Sequence, residues 1–191
     1  EVGHVHASAG NHVILVHYRH PEYLTACLDA LLTQTMRTEI HVVDNSGDYD
    51  GTIALARKYP SVSFLPLRRN VGFAQAVNIA AARIDEVQGA LITLNPDTIP
   101  KSDFIEQIVT PLADPSIDAV AGTLTFASAP QTIASAGIRV FRNGVALDAL
   151  LGEPLGASHA PQDVFGPSGG AAAYRLSAFR AVGGFCGAFF L

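Results

Sequence analysis

Residues 91–98 read Leu91-Ile92-Thr93-Leu94-Asn95-Pro96-Asp97-Thr98, an apolar, β-prone run that passes directly into a short polar turn. A buried strand that ends in polar groups is typical of an open α/β sheet, which binds ligands at the carboxyl ends of its strands. Pro96 fixes its own φ and favours an extended conformation at Asn95, so we expect the turn to hold one shape. Asn95 and Asp97 offer oxygen ligands for Mg²⁺ or Mn²⁺, although a plain Asn-Pro-Asp turn that closes the strand explains the same residues.

Three apolar runs upstream of this stretch alternate with helical patterns. Val13 to Val16 is an unbroken aliphatic run, as expected for a central parallel strand buried on both faces. The spacing of apolar residues between Leu24 and Leu32 predicts the first helix. The predicted order is strand 13–16, helix 21–32, strand 40–43, helix 51–59, strand 62–65, helix 73–84 and strand 90–94. Repeated alternation of this kind predicts a doubly wound, mostly parallel α/β sheet flanked by helices.

The second half of the chain is less regular. A helix capped by Ser102 is predicted over about 101–112, and a strand over 117–126. Asn143-Gly144 between two apolar runs predicts a β-hairpin. The remaining predictions are a loop at 152–161, a tight glycine-rich passage at 164–171 and a short helix at 176–182. We therefore expect a small β-hairpin and loop insertion on the α/β sheet.

The composition is that of a compact, rather apolar domain. The chain has 191 residues, of which 49% are hydrophobic and 15% charged, and its formal net charge is -5. This balance argues against nucleic acid as the main partner, because no basic face dominates. The two cysteines, Cys27 and Cys186, are too few for a disulfide framework and lack metal-ligand spacing. A Gly-x-Gly-x-x-Gly fingerprint after the first strand, a phosphate-binding Lys-Ser/Thr loop and an esterase-type Gly-x-Ser-x-Gly are missing, which disfavours those enzyme classes.

Both ends of the chain look unlike the interior. We interpret residues 1–12 as a disordered leader or cloning remnant, because they lack an initiator Met and are rich in Gly, Ala, Ser and His. The histidines in this part, His4, His6 and His12, could bind a metal adventitiously. Residues 13–191 then form a single domain. Its last residues, Phe189-Phe190-Leu191, are apolar, and we expect that the chain is cut within the fold.

The predicted topology places polar groups that follow four strands on one edge of the sheet. An aromatic ring beside a carboxylate could hold a nucleobase, arginines could bind phosphate, and a metal would complete a site for a nucleoside diphosphate. Each residue also has a structural interpretation, as a turn cap for Asp44, a core residue for Tyr18 and a solvated strand end for the arginines. The candidate groups are Tyr18 after strand one, Asp44 after strand two, Arg68 and Arg69 after strand three, and Asn95 and Asp97 after strand four.

Several motifs in this order resemble a known family. The chain is similar to the family-two glycosyltransferases, which have the inverting, A-type nucleotide-sugar fold, and within them to the rhamnosyltransferase-like, cell-surface polysaccharide branch. The likeness covers about residues 13–191. The motifs are Val13-Ile14-Leu15-Val16-His17-Tyr18, Val42-Val43-Asp44-Asn45-Ser46, Asn70-Val71-Gly72-Phe73-Ala74-Gln75-Ala76-Val77-Asn78, Leu94-Asn95-Pro96-Asp97-Thr98, Gly169-Gly170-Ala171-Ala172, Arg175, and Val182-Gly183-Gly184-Phe185.

The resemblance implies a role for each matched position. Asp44 would accept a hydrogen bond from a pyrimidine imide, and Tyr18 would line the base or ribose pocket. Asn95-Pro96-Asp97 would replace the family's Asp-x-Asp, with Asp97 as the ligand of Mg²⁺ or Mn²⁺, and the metal would act as a Lewis acid on the departing diphosphate. The implied site residues are Tyr18, Asp44, Arg69, Asn70, Gly72, Asn95 and Asp97 for the nucleotide sugar, Asp97 for the metal, and Gly169, Gly170 and Arg175 for the acceptor side.

The resemblance also implies partners and a location. The donor would be a dTDP- or UDP-linked sugar, and the acceptor a glycan or a lipid-linked molecule. Residues 13–126 would form the nucleotide-binding half and 127–191 an incomplete acceptor-side half. The full-length parent would be cytoplasmic and would associate with the inner face of the cell membrane.

The chain departs from the family pattern at its end. Cys186-Gly187 stands where the family usually has an Asp, and no Asp or Glu follows Asp163. An inverting transfer needs a carboxylate base, so we expect that base beyond Leu191 and expect the chain to bind donor but to transfer weakly or not at all. The alternative is a catalytically inactive nucleotide-sugar-binding or scaffolding module. A sugar nucleotidyltransferase would need a Gly-, Arg- and Lys-bearing loop after strand one, which the sequence does not supply.

Overall fold

The structure, a computed structural model, describes residues 10–156 and 162–190. The strands are β1 Gly10–His17, β2 Glu39–Asp44, β3 Ser63–Pro66, β4 Gly89–Leu94, β5 Ala119–Ala121, β6 Leu124–Phe126, β7 Ala129–Ser135, β8 Ile138–Val140, β9 Ala146–Asp148 and β10 Ala171–Arg175. The helices are α1 Pro21–Leu31, α2 Tyr49–Lys58, α3 Phe73–Ala81, α4 Phe104–Val109 and α5 Leu176–Ala181, with a 3₁₀ turn at Thr110–Ala113.

A six-stranded sheet in the order β3-β2-β1-β4-β10-β5 forms the centre of the fold. The first four strands in this order are parallel, and β10 runs antiparallel to both β4 and β5. Val13 and Leu15 belong to one buried cluster, and Ile14 between them belongs to the other, because successive strand residues face opposite sides of a sheet. Residues of α1 and α4 pack in the first cluster, and residues of α3 and α5 in the second. The α/β fold predicted from the sequence, a mostly parallel sheet with helices on both faces, is confirmed.

The strand order reverses between β1 and β4. From β1 the chain builds outward through β2 to β3, and then returns to place β4 on the other side of β1. In open α/β sheets such a switch point leaves a crevice at the carboxyl ends of the two central strands, where ligands bind. The segments after β1 and β4 begin with Tyr18 and Asn95, so both lie beside this crevice.

Two parts of the sheet differ from the prediction. Ala171–Arg175 forms strand β10, although its three alanines give little β-signal, because it pairs with a strand on each side. The predicted strand 117–126 is divided into β5 and β6, and between them the Gly122 amide donates to the Ala171 carbonyl at 2.9 Å. Since β10 comes from the 127–191 part of the chain, the two parts share one sheet.

The predicted hairpin is confirmed as β8 and β9, whose register pairs Arg139 with Leu147 across Asn143-Gly144. A second antiparallel pair, β6 with β7, was not predicted. The helix predicted over 101–112 is shorter, since α4 ends at Val109 and the chain continues as the 3₁₀ turn that contains Pro111. Its N-cap is Asp103 and not the predicted Ser102.

The interpretation of residues 1–12 as a disordered leader is wrong for 10–12. Strand β1 begins at Gly10, which pairs with Gly89, and His12 pairs with Glu39 and with Leu91 on the two neighbouring strands. His12 is only 1% exposed. Partners on both sides hold these polar residues in the sheet, which the composition of the segment does not reveal. Residues 1–9, with His4 and His6, lie outside the described residues.

Candidate functional site

The segments that follow β1, β2 and β4 meet at one edge of the sheet. In the register, His17 lies beside Asp44 and Leu15 lies beside Leu94, so the three strands end close together. The backbone amide of Asn45 extends this alignment by donating to the His17 backbone carbonyl at 2.7 Å. We call this edge, where the candidate residues of the first four strands lie, the carboxyl edge.

The turn after β4 is closed by its own hydrogen bonds. Thr98 donates to the Asn95 carbonyl through its amide at 3.2 Å and through its hydroxyl at 2.7 Å. The Asn95 amide donates to the Gly170 carbonyl at 3.0 Å and ties the turn to the glycine-rich segment. Asp97 is exposed, and its carboxylate accepts no hydrogen bond from any described residue. The turn therefore holds a carboxylate whose oxygens are available to a cation.

Cys27 in α1 lies beneath this turn. Its thiol is buried, with the sulfur 3.8 Å from the Asn95 carbonyl oxygen and 3.9 Å from the Thr98 hydroxyl. Burial above all, with a smaller contribution from the negative charge of Asp97, raises the pKa of the Cys27 thiol to about 11. Cys27 is thus the neutral core thiol that the helical spacing predicts.

Asp44 is buried at the end of β2, and both of its oxygens are engaged. Oδ1 accepts the Ser46 amide at 2.8 Å, and Oδ2 accepts the Thr52 hydroxyl in the first turn of α2. The turn-capping interpretation therefore describes part of what this carboxylate does. Because a carboxylate offers about four acceptor positions, one more donor can still bind to it.

Asn45, the residue after Asp44, links β2 to the segment between β3 and α3. It is 2% exposed, its Nδ2 donates to the Asn70 Oδ1 at 2.7 Å, and its Oδ1 accepts the Val71 amide at 2.9 Å. Asn70 Oδ1 also accepts the Gly72 amide at 2.9 Å. Asn45 was not among the predicted site residues and stands in the sequence within the motif Val42-Val43-Asp44-Asn45-Ser46. Its signal is an amide side chain next to a strand-end carboxylate, which can satisfy a donor and an acceptor at once.

The start of α3 lies beside this network. Gly72 is its N-cap and has φ 82, a conformation that side chains rarely adopt. A Cβ at this position would lie 3.1 Å from the Phe190 ring, so the chain near its end packs against the start of α3. Arg68 and Arg69 precede it, both are exposed, and neither forms a salt bridge within the described ranges. Two free cations thus lie next to the positive end of a helix.

The backbone after β1 is strained. Arg19 has φ 62 and His20 has φ 57, so two consecutive residues other than glycine adopt left-handed conformations just before α1 begins at Pro21. Such conformations cost about 1 kcal/mol or more each and concentrate at functional sites. The turn leaves Tyr18 44% exposed, with the Arg19 guanidinium carbon 4.9 Å from the centre of the Tyr18 ring. Tyr18 is therefore a surface residue at the crevice and does not belong to the core.

The glycine-rich segment before β10 closes one side of the crevice. A Cβ at Gly169 would lie 3.1 Å from the Phe73 ring, and a Cβ at Gly170 would lie 3.3 Å from the Asn95 Nδ2. Both glycines therefore lie at the carboxyl edge, between the start of α3 and the turn after β4. Larger side chains there would displace Phe73 or Asn95.

Asn78 in α3 holds the segment after α5. Its Nδ2 donates to the Phe185 carbonyl at 2.8 Å, and its Oδ1 accepts the Phe185 amide at 2.9 Å. The Phe185 ring packs edge-on against Tyr174 and Phe179. Asn78 and Phe185 are more than a hundred residues apart in sequence. Their two hydrogen bonds therefore connect α3 to the segment after α5.

Arg175 does not join the other candidates. It is opposite Ala90 near the start of β4, whereas the other end of β10, Ala171, is opposite Leu94 at the carboxyl edge. Its guanidinium donates to the carbonyls of Leu112, Asp114 and Ile117 and pairs with Asp118 at 3.0 Å. The placement of Arg175 on the acceptor side is therefore corrected, since it closes the loop before β5 at the opposite edge of the sheet.

His17 is the titratable group nearest to Asp44 in the register. It is 4% exposed, and its Nδ1 is buried without a partner among the described residues. Burial lowers the pKa of His17, although the charges of Asp44 and Asp48 act in the opposite direction. Burial of the His17 imidazole therefore disfavours its protonated form.

The oxygen atoms at the carboxyl edge suit a hard divalent cation that also binds a phosphate. Mg²⁺ and Mn²⁺ are often held by one or two carboxylates together with substrate phosphates. Asp97 supplies one free carboxylate, and Asn95 lies two residues before it. The chemistry of this edge suits a metal that arrives with, or is completed by, a phosphate ligand.

A doubly wound sheet with this switch point defines a class of α/β domains that bind ligands at the carboxyl edge. Residues 12–183 match the family described as Glycosyl transferase family 2. Because the match covers most of the chain, the protein belongs to that family. The resemblance drawn from the motifs is confirmed at the level of the family.

The chain is 34% identical over 119 residues to an N-acetylglucosaminyltransferase of Rhizobium sp. (strain N33), which covers 59% of this chain and 26% of the relative. Among solved structures it is similar to the mannosyltransferase PcManGT of Pyrobaculum calidifontis in complex with GDP-Man and Mn²⁺, with TM-score 0.63 and 20% identity over 94% of this chain and 48% of that one. It is also similar to GalNAc-T7 with UDP, GalNAc and Mn²⁺, with TM-score 0.70 and 16% identity over 92% of this chain and 36% of that one.

The similarity to these structures supports the fold. It covers only part of each relative's length. The chain spans about a quarter of the curated relative and half or less of the two solved structures. One of those structures contains GDP-Man and the other UDP and GalNAc, and both contain Mn²⁺. Within the described residues, no helix is both long and apolar enough to cross a membrane.

Proposed function

We propose that the carboxyl edge binds a nucleotide-diphosphate sugar together with a divalent metal, and that the protein transfers the sugar with inversion to an acceptor. This proposal is supported by three kinds of group that follow neighbouring parallel strands at the carboxyl edge. They are an aromatic ring and a buried carboxylate, two free arginines beside a helix start, and a free carboxylate in a fixed turn.

The base would lie between Tyr18 and Asp44. Thr52 and the Ser46 amide fix the Asp44 carboxylate, so it does not need to be reoriented when a ligand arrives. One remaining acceptor position suits the imide N–H of uracil or thymine, which cytosine lacks. The exposed Tyr18 ring offers a stacking surface next to it. This arrangement favours UDP- or dTDP-linked donors.

The diphosphate would lie over Arg69, Asn70 and Gly72. Arg69 is an exposed cation, and Asn45 fixes Asn70 and the following backbone at the start of α3. Arginine binds phosphate through parallel hydrogen bonds, and a helix start favours negative charge. Asp97 would hold Mg²⁺ or Mn²⁺ on the other side of the diphosphate, with Asn95 shaping the turn. When bound, the metal supplies Lewis-acid stabilisation of the charge on the leaving group.

The acceptor would approach on the side of the crevice that Gly169 and Gly170 line, where the backbone packs against Phe73 and the Asn95 side chain. The glycan or lipid-linked class of acceptor rests on the family resemblance, as does a location at the inner face of the cell membrane. Rhamnose is the first donor sugar to test, because the motifs resemble the rhamnosyltransferase-like branch of the family. An N-acetylglucosamine donor, suggested by the name of the 34% identical relative, is the second.

Thermal unfolding with paired nucleotides tests this proposal. UDP and dTDP sugars with Mn²⁺ should raise the unfolding temperature, because a ligand at about one hundred times its Kd stabilises the folded state by about 2.7 kcal/mol. CDP should have a smaller effect than UDP, since it lacks the imide donor. If no nucleotide, with or without Mn²⁺, changes the unfolding temperature, the proposal fails.

A further inference from the structure

Three metal-binding side chains meet at the end of the sheet opposite the carboxyl edge. His12 lies in β1 and His41 and Glu39 in β2, and their ligand atoms all lie within 4.8 Å of one another. His12 Nδ1 is 3.1 Å from His41 Nε2 and 3.6 Å from Glu39 Oε2, and His41 Nε2 is 4.0 Å from Glu39 Oε2. We call these three residues the amino-edge cluster.

The spacing of these atoms fits a metal ion. The nearest point equidistant from three atoms so separated lies in their plane, about 2.1 Å from each, which is the length of a zinc–imidazole or zinc–carboxylate bond. A hydrogen bond between the two imidazoles would satisfy one nitrogen of each ring and leave the carboxylate 3.6 Å away. One ion, in contrast, would satisfy all three ligand atoms.

Glu86 supplies the carboxylate that commonly hydrogen-bonds to a metal-bound histidine. His12 Nε2 is buried, lacks a hydrogen-bond partner of good geometry within the described part of the chain, and lies 3.4 Å from Glu86 Oε2. With Nδ1 bound to a metal, Nε2 carries the proton and faces this carboxylate. A carboxylate behind a metal-bound histidine fixes the ring and strengthens the ligand. The orphaned nitrogen of a residue that is 1% exposed thereby gains a function.

The amino-edge cluster is separate from the proposed nucleotide site. Glu39 is the first residue of β2 and Asp44 the last, so the length of the strand lies between them, about 16 Å at the usual rise per residue. His12 is likewise five positions before His17 in β1. No single ion can bind both Asp97 and the cluster. The ligand types differ too, since two imidazoles and a carboxylate suit Zn²⁺, whereas Mg²⁺ and Mn²⁺ prefer oxygen ligands.

We propose that His12, His41 and Glu39 form a Zn²⁺ site, with Glu86 as the outer carboxylate, that fastens β1 to β2 at the amino edge. A water molecule would take the fourth position. Bound Zn²⁺ would stabilise the fold because it joins two strands that the unfolded chain leaves apart. The site does not depend on the nucleotide proposal, and it concerns a different edge of the sheet and a different ion.

Calorimetric titration with ZnCl₂ tests this site. The background for every variant is His4→Ala/His6→Ala, which removes the two histidines that precede the described residues. In this background we expect one Zn²⁺ per chain and a higher unfolding temperature with Zn²⁺. His41→Ala should weaken binding by about a hundredfold or more, and Glu39→Gln by about tenfold, because each removes a ligand.

Four controls make the outcome decisive. His20→Ala removes an exposed histidine outside the cluster and should leave Zn²⁺ affinity unchanged. Asp97→Ala should also leave it unchanged, and excess Mg²⁺ should not displace Zn²⁺. Unfolding temperatures of the metal-free variants, which should match the background, exclude a folding defect. Unchanged Zn²⁺ affinity in both His41→Ala and Glu39→Gln would overturn the proposal, and so would loss of the site in Asp97→Ala.

Discussion

The two edges of the central sheet use polar side chains in different ways. At the carboxyl edge, buried groups such as Asp44 and Asn45 bind backbone and hydroxyl groups, while Tyr18, Arg69 and Asp97 stay exposed. At the amino edge, the polar groups face one another in the His12, His41 and Glu39 cluster, and the Arg175 guanidinium binds three carbonyls. The first edge has free groups above a rigid support, whereas at the second edge the polar side chains lie against one another or against backbone carbonyls.

This difference explains why one edge suits a changing ligand and the other a permanent connection. A ligand site needs groups that are fixed in place but still unsatisfied, because hydrogen bonds already made to the protein are not available to a substrate. A structural connection needs groups that face one another, either directly or through a bound ion. The pairing at the amino edge therefore indicates stability, and the exposed groups at the carboxyl edge indicate binding.

The largest expected effect comes from Arg175. Arg175→Met removes the guanidinium that donates to three carbonyls, and we expect a loss of about 3 kcal/mol in the free energy of unfolding, since hydrogen bonds to charged groups contribute about 1.5–3 kcal/mol each. Urea denaturation measures the loss. Arg139→Met, which changes an exposed arginine of the hairpin, should have little effect. Arg175→Met that remained as stable as the wild type but lost nucleotide binding would place Arg175 at the functional edge after all.

A smaller effect is expected at Asn45. Asn45→Ala removes the acceptor of the Val71 amide and the donor to Asn70, which should reduce the free energy of unfolding by about 2 kcal/mol. Because the same bonds position Asn70, nucleotide affinity should fall as well. Denaturation and nucleotide titration of this variant separate the two effects. Full nucleotide affinity in Asn45→Ala would show that the network supports the fold alone.

The smallest expected effect is a pH dependence at His17. Burial lowers its pKa in the folded state, so protonation favours the unfolded chain. The stability that depends on neutral His17 is complete above the unfolded pKa of about 6.5 and decreases as the pH falls from there through the folded pKa. In His17→Gln, the free energy of unfolding should fall less between pH 8 and pH 5 than in the wild type. His20→Gln, at an exposed site, should keep the wild-type slope, and equal slopes in wild type and His17→Gln would contradict the assignment.

The sequence predicted the parallel part of the fold and its carboxyl edge well. Val13 to Val16 and Leu91 to Leu94 are apolar on both faces, which is a strong signal for central strands, and strand ends can be read directly from such runs. Once β1, β2 and β4 were assigned, the placement of Tyr18, Asp44 and Asp97 at one edge followed from topology.

The features that the sequence did not predict depend on contacts between residues that are distant along the chain. Strand β10 consists largely of alanines and forms because β4 and β5 pair with it. The resemblance placed Arg175 on the acceptor side, whereas the antiparallel direction of β10, which was not predicted as a strand, puts it at the amino edge. His12 was assigned to a leader because its partners, His41, Glu39 and Glu86, lie on other segments. The local sequence around each of these residues gives no indication of these long-range contacts.

The most direct test of the central claim is the affinity for UDP with and without Mn²⁺, measured by calorimetry on the wild type, Asp97→Asn and Asp103→Asn. Asp103 is an exposed aspartate whose side chain caps nothing, and Asp103→Asn therefore removes the same charge nearby without touching the turn. We expect Mn²⁺ to strengthen UDP binding by at least about tenfold in the wild type and in Asp103→Asn, and to have no effect in Asp97→Asn. If Asp97→Asn keeps the full Mn²⁺ dependence, the carboxyl edge does not hold the metal in the way proposed here.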